Sequence, residues 1–307
     1  MSAYKIRGHV LFLAATLLVG CASAPVSTED RSPRPDGRYD NHAYLVDSSQ
    51  MNLSRVVSSI VILVTRTKFR LPDGEEIEKE LVGSGVVVGD RFILTVEHTV
   101  AQGTIKISTP VGVMKLQVKK LAEKTFLRHD GVEHPLRALV LSPEDDVALF
   151  EIPRGVNPPS FPYSLGNSDD LQVGNYIYAI GNPLNMGVNV REGIVSALRA
   201  PREVARVAAK NENAFMVSNG LSPGDSGTPV IAIRDGRFEM VGLSQGTFVG
   251  GGRLGWVIRI NAIRLLINKA RSMQKKEWAK TPTPVPLKIK NGWRPLSSLW
   301  GLVSMLP

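Results

Sequence analysis

Short apolar runs separated by turn residues fill the middle of the chain, a pattern typical of many short β-strands in a barrel or a sandwich. A stretch with four prolines, residues 153–162, divides the predicted strands into two sets. The first set is predicted at 56–65, 82–88, 91–96, 104–108, 111–118 and 146–152, and the second at 175–180, 189–200, 214–218, 228–233, 237–245 and 254–260. Six strands on each side predict an all-β fold in two halves, which the proline stretch links.

Two other segments depart from this pattern. The polar stretch around His129 and His134 is predicted to be an exposed loop. Helical periodicity appears only near the C-terminal end, where one face carries Ile263, Leu266, Ile267 and Ala270. A helix over about 261–278 is therefore predicted to pack on the second set of strands. A proline-rich spacer and a hydrophobic tail, too short to span a membrane, follow over 279–307.

A short basic start and an apolar run open the chain, as in a signal peptide. The apolar run covers residues 10–19, which is half of the ~20 residues that a helix needs to cross a bilayer. It ends in Leu-Val-Gly-Cys21, which resembles the lipobox of bacterial lipoproteins and contains the only cysteine of the chain. We therefore predict a lipoprotein signal peptide over 1–20 and lipid on Cys21. The alternative is an ordinary signal peptide cut at 22–24.

The residues after the cysteine predict a tether and a location. Residues 21–54 are rich in Pro, Ser, Asp and Asn and have little periodicity, which is typical of a flexible segment. Because Ala22 rather than Asp follows Cys21, we expect a lipid anchor in the outer membrane, facing the periplasm.

The net charge of +9 is concentrated near the C-terminal end. Residues 264–294 contain nine bases and one acid, so the rest of the chain is close to neutral. No nucleic-acid motif accompanies the basic segment, and nucleic acid is not an expected partner. The segment instead fits anionic lipid headgroups, or stays solvated.

Three short motifs carry the residues of a nucleophilic site. His98 follows the apolar run Phe-Ile-Leu, Asp146 opens the run Val-Ala-Leu-Phe, and Ser226 lies in Gly-Asp-Ser-Gly-Thr-Pro. A serine becomes a nucleophile when a histidine takes its proton and a carboxylate orients that histidine. The order His, Asp, Ser is that of the chymotrypsin-type triad. All five histidines precede Ser226, which excludes the Ser, acid, His order of hydrolases with a nucleophile elbow.

The surrounding residues complete the predicted site. The backbone N–H groups of Gly224 and Ser226 are predicted to form an oxyanion hole. Asp145 is the alternative acid, but Asp146 directly opens the apolar run. Each residue taken alone is more often a turn, core or capping residue, whereas the order and the strand context together favour a catalytic site. The spacings of 48 and 80 residues place His98 and Asp146 in one half of the fold and Ser226 in the other.

Six motifs occur together between residues 56 and 268: Gly83-Ser-Gly-Val-Val-Val-Gly, Ile93-Leu-Thr-Val-Glu-His98, Asp146-Val-Ala-Leu-Phe, Ala179-Ile-Gly-Asn-Pro183, Gly193-Ile-Val-Ser-Ala197 and Ser222-Pro-Gly-Asp-Ser226-Gly. This region resembles a trypsin-like serine protease of the Deg/HtrA kind. The resemblance implies a chymotrypsin-like fold of two six-stranded antiparallel β-barrels, at about 55–152 and 163–260, within a protease domain over 55–278. It also implies endopeptidase activity without a cofactor or a metal.

Three features depart from that family pattern. Glu97 precedes the histidine where the family usually has alanine, and its carboxylate would favour the charged imidazole if it lies nearby, or do nothing if it points away. Asp225 and Thr228 differ from the Deg-type Gly-Asn-Ser-Gly-Gly-Pro. Only 39 residues follow Asn268, too few for a PDZ domain, so none is expected.

The substrate preference is predicted from the position six residues before the nucleophile. Trypsin-like enzymes place a carboxylate there for basic side chains, and this chain has Gly220. The residues predicted to line the pocket are Gly220, Leu221, Gly242, Leu243 and Ser244. Without an acid among them, we expect small or aliphatic residues to be preferred over Lys or Arg.

These observations predict a lipid-anchored serine endopeptidase of the bacterial cell envelope, which cleaves peptide bonds through an acyl-enzyme on Ser226 in quality control or regulated proteolysis. Its partners would be protein or peptide substrates and the membrane. Two alternatives stay open. One is a catalytically impaired, membrane-tethered binding module, favoured by Glu97 and the hydrophobic tail. The other is a peptidase inhibited by its own tail, residues 293–306.

Overall fold

Two mostly antiparallel sheets, one on each side of the proline stretch, form the body of the computed structural model. The structure describes residues 35–42, 46–89, 91–101, 103, 105–109, 112–116, 118–182, 187–201, 211–222, 224–247 and 254–278. The described residues from Gly37 onward belong to one compact unit, and residues 35 and 36 lie outside it.

The first sheet follows a short helix, α1 (Leu53–Val57), and has the order β7-β6-β1-β2-β3-β9-β8. Its strands are β1 (Ile60–Arg70), β2 (Glu76–Val88), β3 (Phe92–Thr95), β6 (Lys119–His129), β7 (Val132–Pro135), β8 (Arg137–Ser142) and β9 (Val147–Glu151). A separate hairpin consists of β4 (Ile105–Thr109) and β5 (Gly112–Leu116). In the part of the chain that the structure describes, no strand pairing closes this sheet into a barrel.

The second sheet is a closed barrel, with the order β10-β15-β14-β11-β12-β13-β16 and an additional pairing of β15 with β16. Its strands are β10 (Ser164–Leu165), β11 (Tyr176–Gly181), β12 (Asn189–Ala197), β13 (Ala214–Val217), β14 (Pro229–Arg234), β15 (Arg237–Thr247) and β16 (Gly255–Arg259). A two-residue turn at Asp235-Gly236 joins β14 to β15, and both residues have the positive φ that such turns require.

A helix and a shared core hold the two sheets together. Helix α2 (Ile260–Trp278) leaves β16 directly and buries Ile263, Ile267 and Ala270. The largest core cluster contains residues of both sheets, for example Leu94 of β3 and Met240 of β15. This common core brings the ends of β3 and β9 close to the turn before β14, where the predicted catalytic residues lie.

The predicted chymotrypsin-like fold is confirmed, with two differences in the first half. The sheet there is curled but open among the described residues, and it contains β6, β7 and β8, which were not predicted. The prediction of an exposed loop at His129 and His134 is wrong, because these half-buried residues end β6 and lie within β7. The physical reason is that β6 buries only Thr125 and Leu127 and that seven of its eleven residues are polar, so it has no apolar strand pattern.

Part of the predicted tether packs against the second sheet. Tyr39 is 5% exposed, bridges to Arg234 and donates its hydroxyl hydrogen bond to Glu239. The predicted signal peptide, Cys21 and the hydrophobic tail lie outside the described residues. Among the helices that the structure does describe, none is long and apolar enough to cross a membrane.

Candidate active site

His98 and Asp146 meet at the ends of two paired strands. β3 leads into a 3-10 helix, Glu97–Thr99, that carries His98, and β9 begins directly after Asp146. Thr95 pairs with Ala148, and this register places the two functional side chains next to each other. Nδ1 of His98 lies 2.7 Å from Oδ2 of Asp146, and the backbone N–H of His98 donates to Oδ1 at 2.8 Å. The carboxylate therefore fixes both the ring and the backbone of the histidine.

Asp146 itself has an unusual backbone conformation. Its φ is +52°, in the left-handed region that aspartate tolerates better than most residues. Its carbonyl accepts the N–H of Glu97 at 3.2 Å, and its side chain is only 9% exposed. Asp145, the alternative acid, instead accepts a hydrogen bond from the Ser142 hydroxyl at 2.8 Å. The structure thus places Asp146, and not Asp145, at the imidazole.

Ser226 lies in the turn between β13 and β14, and its hydroxyl donates to the backbone carbonyl of Gln245 at 3.0 Å. The side chain of the same glutamine donates through Nε2 to Oδ2 of Asp146 at 2.7 Å. Gln245 is 4% exposed, so this link is shielded from water. Between Ser226 and His98, both of which the structure describes, there is no direct hydrogen bond. Gln245 therefore connects the serine to the acid.

Further contacts join the serine turn to the first sheet. The Ser84 hydroxyl donates to the Gly224 carbonyl at 3.1 Å, and the Thr95 hydroxyl donates to the Ser84 carbonyl at 2.6 Å. Gly227, with φ +86°, lies so close to them that an added Cβ would come within 2.2 Å of Thr95 Oγ1 and 2.4 Å of the Ser84 carbonyl oxygen. Only glycine fits at this junction.

The two residues predicted to form the oxyanion hole occupy the same turn. Gly224 has φ +98°, a conformation that favours glycine. In the described segments, neither its N–H nor that of Ser226 donates to a backbone carbonyl. Among the described residues no backbone carbonyl competes for these two N–H groups, as an oxyanion hole requires.

The residues predicted to line the pocket fall into a loop group and a strand group. Gly220 accepts a hydrogen bond from Nη1 of Arg191 at 2.7 Å, and Leu221 is buried against Gly255. The strand group is buried in β15 and consists of Gly242, Leu243 and Ser244. Leu243 is part of the core, and the Ser244 carbonyl accepts the N–H of Gly227 at 2.8 Å. Ser244 therefore contacts the serine turn through its backbone.

Glu97 lies half-buried beside the histidine and its acid. Burial raises the pKa of Glu97, the negative charge of Asp146 raises it further, and His98 opposes the rise. Glu97 therefore experiences the charges of both Asp146 and His98.

Two residues of the site were not predicted. Gln245 follows the predicted pocket residue Ser244, and an amide in the mostly apolar run 240–246 was a signal that it has a polar partner. Arg191 is paired with Asp225, the residue directly before the nucleophile. The corresponding signal for Arg191 was that two adjacent charged residues, Arg191 and Glu192, lie near the start of a barrel strand.

The arrangement can activate a serine hydroxyl. Because Nδ1 of His98 faces Asp146, the other ring nitrogen, Nε2, is the one available for the proton of Ser226. The His98 side chain is 47% exposed, which leaves the ring accessible to a substrate. Such a group can attack a carbonyl carbon while the turn supplies N–H donors for the oxyanion.

Comparisons with curated proteins agree with this chemistry. The chain is similar to a probable periplasmic serine endoprotease DegP-like of Chlamydia pneumoniae, with 32% identity over 189 residues that cover 60% of this chain and 33% of that protein. It is also similar to the periplasmic serine endoprotease DegP of Escherichia coli strain K12, with 27% identity over 202 residues that cover 64% of this chain and 37% of that protein. The chain spans about a third of the length of these relatives.

A solved structure shares the fold. The HtrA-type protease AlgW with decapeptide superimposes with a TM-score of 0.52 and 21% identity, over 72% of this chain and 66% of that one. A family model described as a trypsin-like peptidase domain matches residues 83–243, which include His98, Asp146 and Ser226. Because this match covers more than half of the 307 residues, the chain belongs to the trypsin-like peptidase family.

Proposed function

We propose that this protein is a serine endopeptidase that cleaves peptide bonds through an acyl-enzyme on Ser226. One observation carries the proposal. The buried carboxylate of Asp146 is hydrogen-bonded both to Nδ1 of His98 and to the side chain of Gln245, whose carbonyl holds the Ser226 hydroxyl. All the groups needed for nucleophilic catalysis are thereby connected within one site.

In the proposed reaction, His98 takes the proton of Ser226 at Nε2 as Oγ attacks the peptide carbonyl. Asp146 stabilises the imidazolium that forms, and the N–H groups of Gly224 and Ser226 bind the oxyanion. His98 then returns the proton to the leaving amine, which departs and leaves an acyl group on Ser226. A water molecule then attacks the acyl group while His98 takes its proton, and the carboxylic acid product leaves as Ser226 is regenerated. Each oxyanion donor typically lowers the activation barrier by about 3 kcal/mol.

The Ser226 hydroxyl must turn from the Gln245 carbonyl to His98 before it can react. Rotation about the Cα–Cβ bond of Ser226 would release the hydroxyl from Gln245, and catalytic hydrogen bonds commonly tighten only when substrate is bound. The same observation favours a second candidate, a protease fold that binds unfolded or partner chains without cleaving them. In that case the serine stays with Gln245 and is never activated.

Labelling with a fluorophosphonate probe separates the two candidates. The full chain, Ser226→Ala and His98→Ala would be treated side by side, with Ser142→Ala as a control serine outside the site. We expect labelling of the parent and of Ser142→Ala only, because the probe reacts with activated serines. A folded parent that is not labelled would contradict an active peptidase. Deletion of residues 293–306 would then decide: labelling that appears on deletion supports a peptidase inhibited by its own tail, and no labelling in either protein supports the binding module.

We further propose that the protein acts in the bacterial cell envelope, in protein quality control or regulated proteolysis. The names of both curated relatives describe periplasmic enzymes. The lipobox-like sequence ending in Cys21 supports a lipid anchor, which we place in the outer membrane. The basic C-terminal region would then lie near lipid headgroups. Incorporation of labelled palmitate into the full chain, but not into Cys21→Ser, is the expected result. Equal incorporation into both would contradict the anchor.

The proposed preference is for small or aliphatic residues on the acyl side of the cleaved bond. Its support is the lack of an acid at Gly220, whose carbonyl is already bonded to Arg191, and the burial of Leu221 against Gly255. Peptides that differ only at that residue test it. Faster cleavage after Arg than after Ala or Val would contradict the proposal.

A further inference from the structure

Asp225, directly before the nucleophile, is a buried carboxylate with one cationic partner. The residue is 1% exposed, and its Oδ2 accepts the backbone N–H of Ser222 at 2.6 Å and contacts Nη2 of Arg191. Its Oδ1 lies against β11, where a Cβ on Gly181 would come within 2.0 Å of it. The carboxylate therefore has a single, closely fitted position under the serine turn.

Arg191 is held by the barrel and reaches two points of the loop that ends at the serine. It lies on β12, where it pairs with Ala179 of β11. Besides contacting Asp225, its guanidinium donates through Nη1 to the Gly220 carbonyl at 2.7 Å. Gly220 has φ +54°, so the loop begins with a sharp backbone turn at the point that Arg191 binds. One guanidinium thus fixes both ends of the segment from Gly220 to Asp225.

The chemistry of the pair indicates a positional role. A planar guanidinium binds two acceptors in a fixed geometry, which a lysine cannot reproduce. A buried ion pair adds little net stability over apolar residues of similar volume, but removing one partner leaves an uncompensated charge in the interior. Because the next residue is Ser226 and Gly224 lies within the fixed segment, the pair determines where both proposed oxyanion donors are placed.

We propose that Arg191 is a positioning residue for the nucleophile turn: through Asp225 and Gly220 it holds Ser226 and the N–H of Gly224 in place for reaction. The inference rests on the proposed function of Ser226. It makes the assembly of the site depend on a residue of β12 that contacts neither the serine hydroxyl nor the histidine.

A double-mutant cycle on the full chain tests this inference. Wild type, Arg191→Met, Asp225→Asn and the double variant would be compared by the rate of fluorophosphonate labelling. We expect Arg191→Met to react about 30-fold or more slowly, because a charge is left unpaired beside the turn. The double variant should regain most of that loss, since the neutral amide introduced by Asp225→Asn needs no cation. Arg66→Met, which breaks surface ion pairs on β1, should match wild type.

Hydrogen–deuterium exchange in the same proteins gives a readout that does not need activity. In Arg191→Met the amides of 218–228 should exchange about tenfold faster or more, as expected for a local opening, while those of β1 stay unchanged. Arg191→Lys keeps the charge but not the two-point contact, and its exchange rates should lie between those of wild type and Arg191→Met. If Arg191→Met unfolds, which faster exchange in β1 would reveal, Arg191→Lys takes its place in the comparison.

The outcomes separate the two ideas. An unlabelled wild type would contradict the proposed function, and exchange would still decide whether Arg191 positions the turn. Labelling and exchange of Arg191→Met within about twofold of wild type would overturn the inference, since the typical loss of a buried charge partner is far larger. Strictly additive losses in the double variant would also overturn it. A change in the ranking of peptide substrates with unchanged labelling would show that Arg191 acts on specificity instead.

Discussion

The two halves of the candidate site are held in place by different means. His98 and Asp146 follow from strand register, because β3 and β9 are paired neighbours and the two residues lie at their ends. Ser226 lies in a turn with glycines at positive φ on both sides, and a buried ion pair from a different strand, between Arg191 and Asp225, supports it. The acid–base half is thus fixed by the pairing of two strands, and the nucleophile half by side-chain contacts from other strands.

Gln245 is the point where the two halves depend on each other. Its side chain binds Asp146 of the first half, and its backbone carbonyl binds Ser226 of the second. A change confined to the acid–base half should therefore leave the folded turn intact, whereas a change at the junction should affect both halves.

The largest effect is expected from Asp146→Asn, which alters the acid–base half and its hydrogen bond with Gln245. An amide cannot accept hydrogen bonds from the ring and from Gln245 as the carboxylate does, so the imidazole loses its orientation and its favourable tautomer. Reactivity with the fluorophosphonate probe should fall by about 10⁴-fold, as in serine proteases that carry this change. Asp145→Asn is the matched control and should react like wild type; an equal loss there would contradict the assignment of the acid.

Gly227→Ala is expected to have the next largest effect, because it disturbs the junction of the halves. The new Cβ would lie within 2.4 Å of both Thr95 Oγ1 and the Ser84 carbonyl oxygen. Because the backbone at Ser84 can move aside only at a large cost in free energy, we expect probe reactivity to fall by about 100-fold or more, together with a lower melting temperature.

The matched control is Gly174→Ala. Gly174 has a similar φ, +93°, but nothing lies within 4 Å of an added Cβ there. It should show only the cost of a strained backbone, about 1–2 kcal/mol of stability, with normal reactivity. Equal behaviour of the two variants would show that contact with the first sheet does not matter.

Gln245→Leu tests the link with a smaller change. The variant keeps the side-chain size and the carbonyl that binds Ser226, but Asp146 loses one hydrogen bond. A hydrogen bond to a charged group contributes about 1.5–3 kcal/mol, so the labelling rate should fall by roughly 10- to 100-fold. Gln274→Leu, which removes an amide–carboxylate contact with Glu151 far from the site, should have no effect on labelling. An unchanged rate in Gln245→Leu would mean that the halves are independent.

The sequence was most informative where structure is local. His98, Asp146 and Ser226 were identified from short motifs, and the strands that carry them have strong apolar patterns, as in β9, where four consecutive residues are buried. β6 was missed because its eleven residues bury only two, so that neither periodicity nor composition marks it as a strand. A polar strand in a sheet is stabilised by its neighbours, which a single sequence does not reveal.

The residues that connect the halves could not be predicted for a related reason. Gln245 and Asp146 are 99 residues apart in the chain, and Arg191 and Asp225 are 34 apart. Their contacts exist only once β15 and β12 have their places in the barrel. Tyr39 is a further example, since a polar, aperiodic segment gave no sign that one of its residues is buried beside Glu239.

The smallest predicted effect concerns Glu97, the charged neighbour of the acid–base half. Burial raises the pKa of Glu97 above its ordinary value of 4.5. Between the ordinary pKa and the raised pKa, Glu97 is protonated more in the folded protein than in the unfolded chain. The free energy of unfolding therefore falls as pH rises through this range. Above it, the full cost of a charged Glu97 is present, and Glu97→Gln removes that cost.

We therefore expect the melting temperature of Glu97→Gln to equal that of wild type below about pH 4 and to exceed it by about 1–2 °C at neutral pH, a small gain because the side chain is partly solvated. Glu78→Gln, at an exposed position of β2, should show no pH-dependent difference. A lower melting temperature for Glu97→Gln at neutral pH would mean that the charge stabilises the fold, and that Glu97 belongs to the hydrogen-bonded support of the histidine rather than being tolerated beside it.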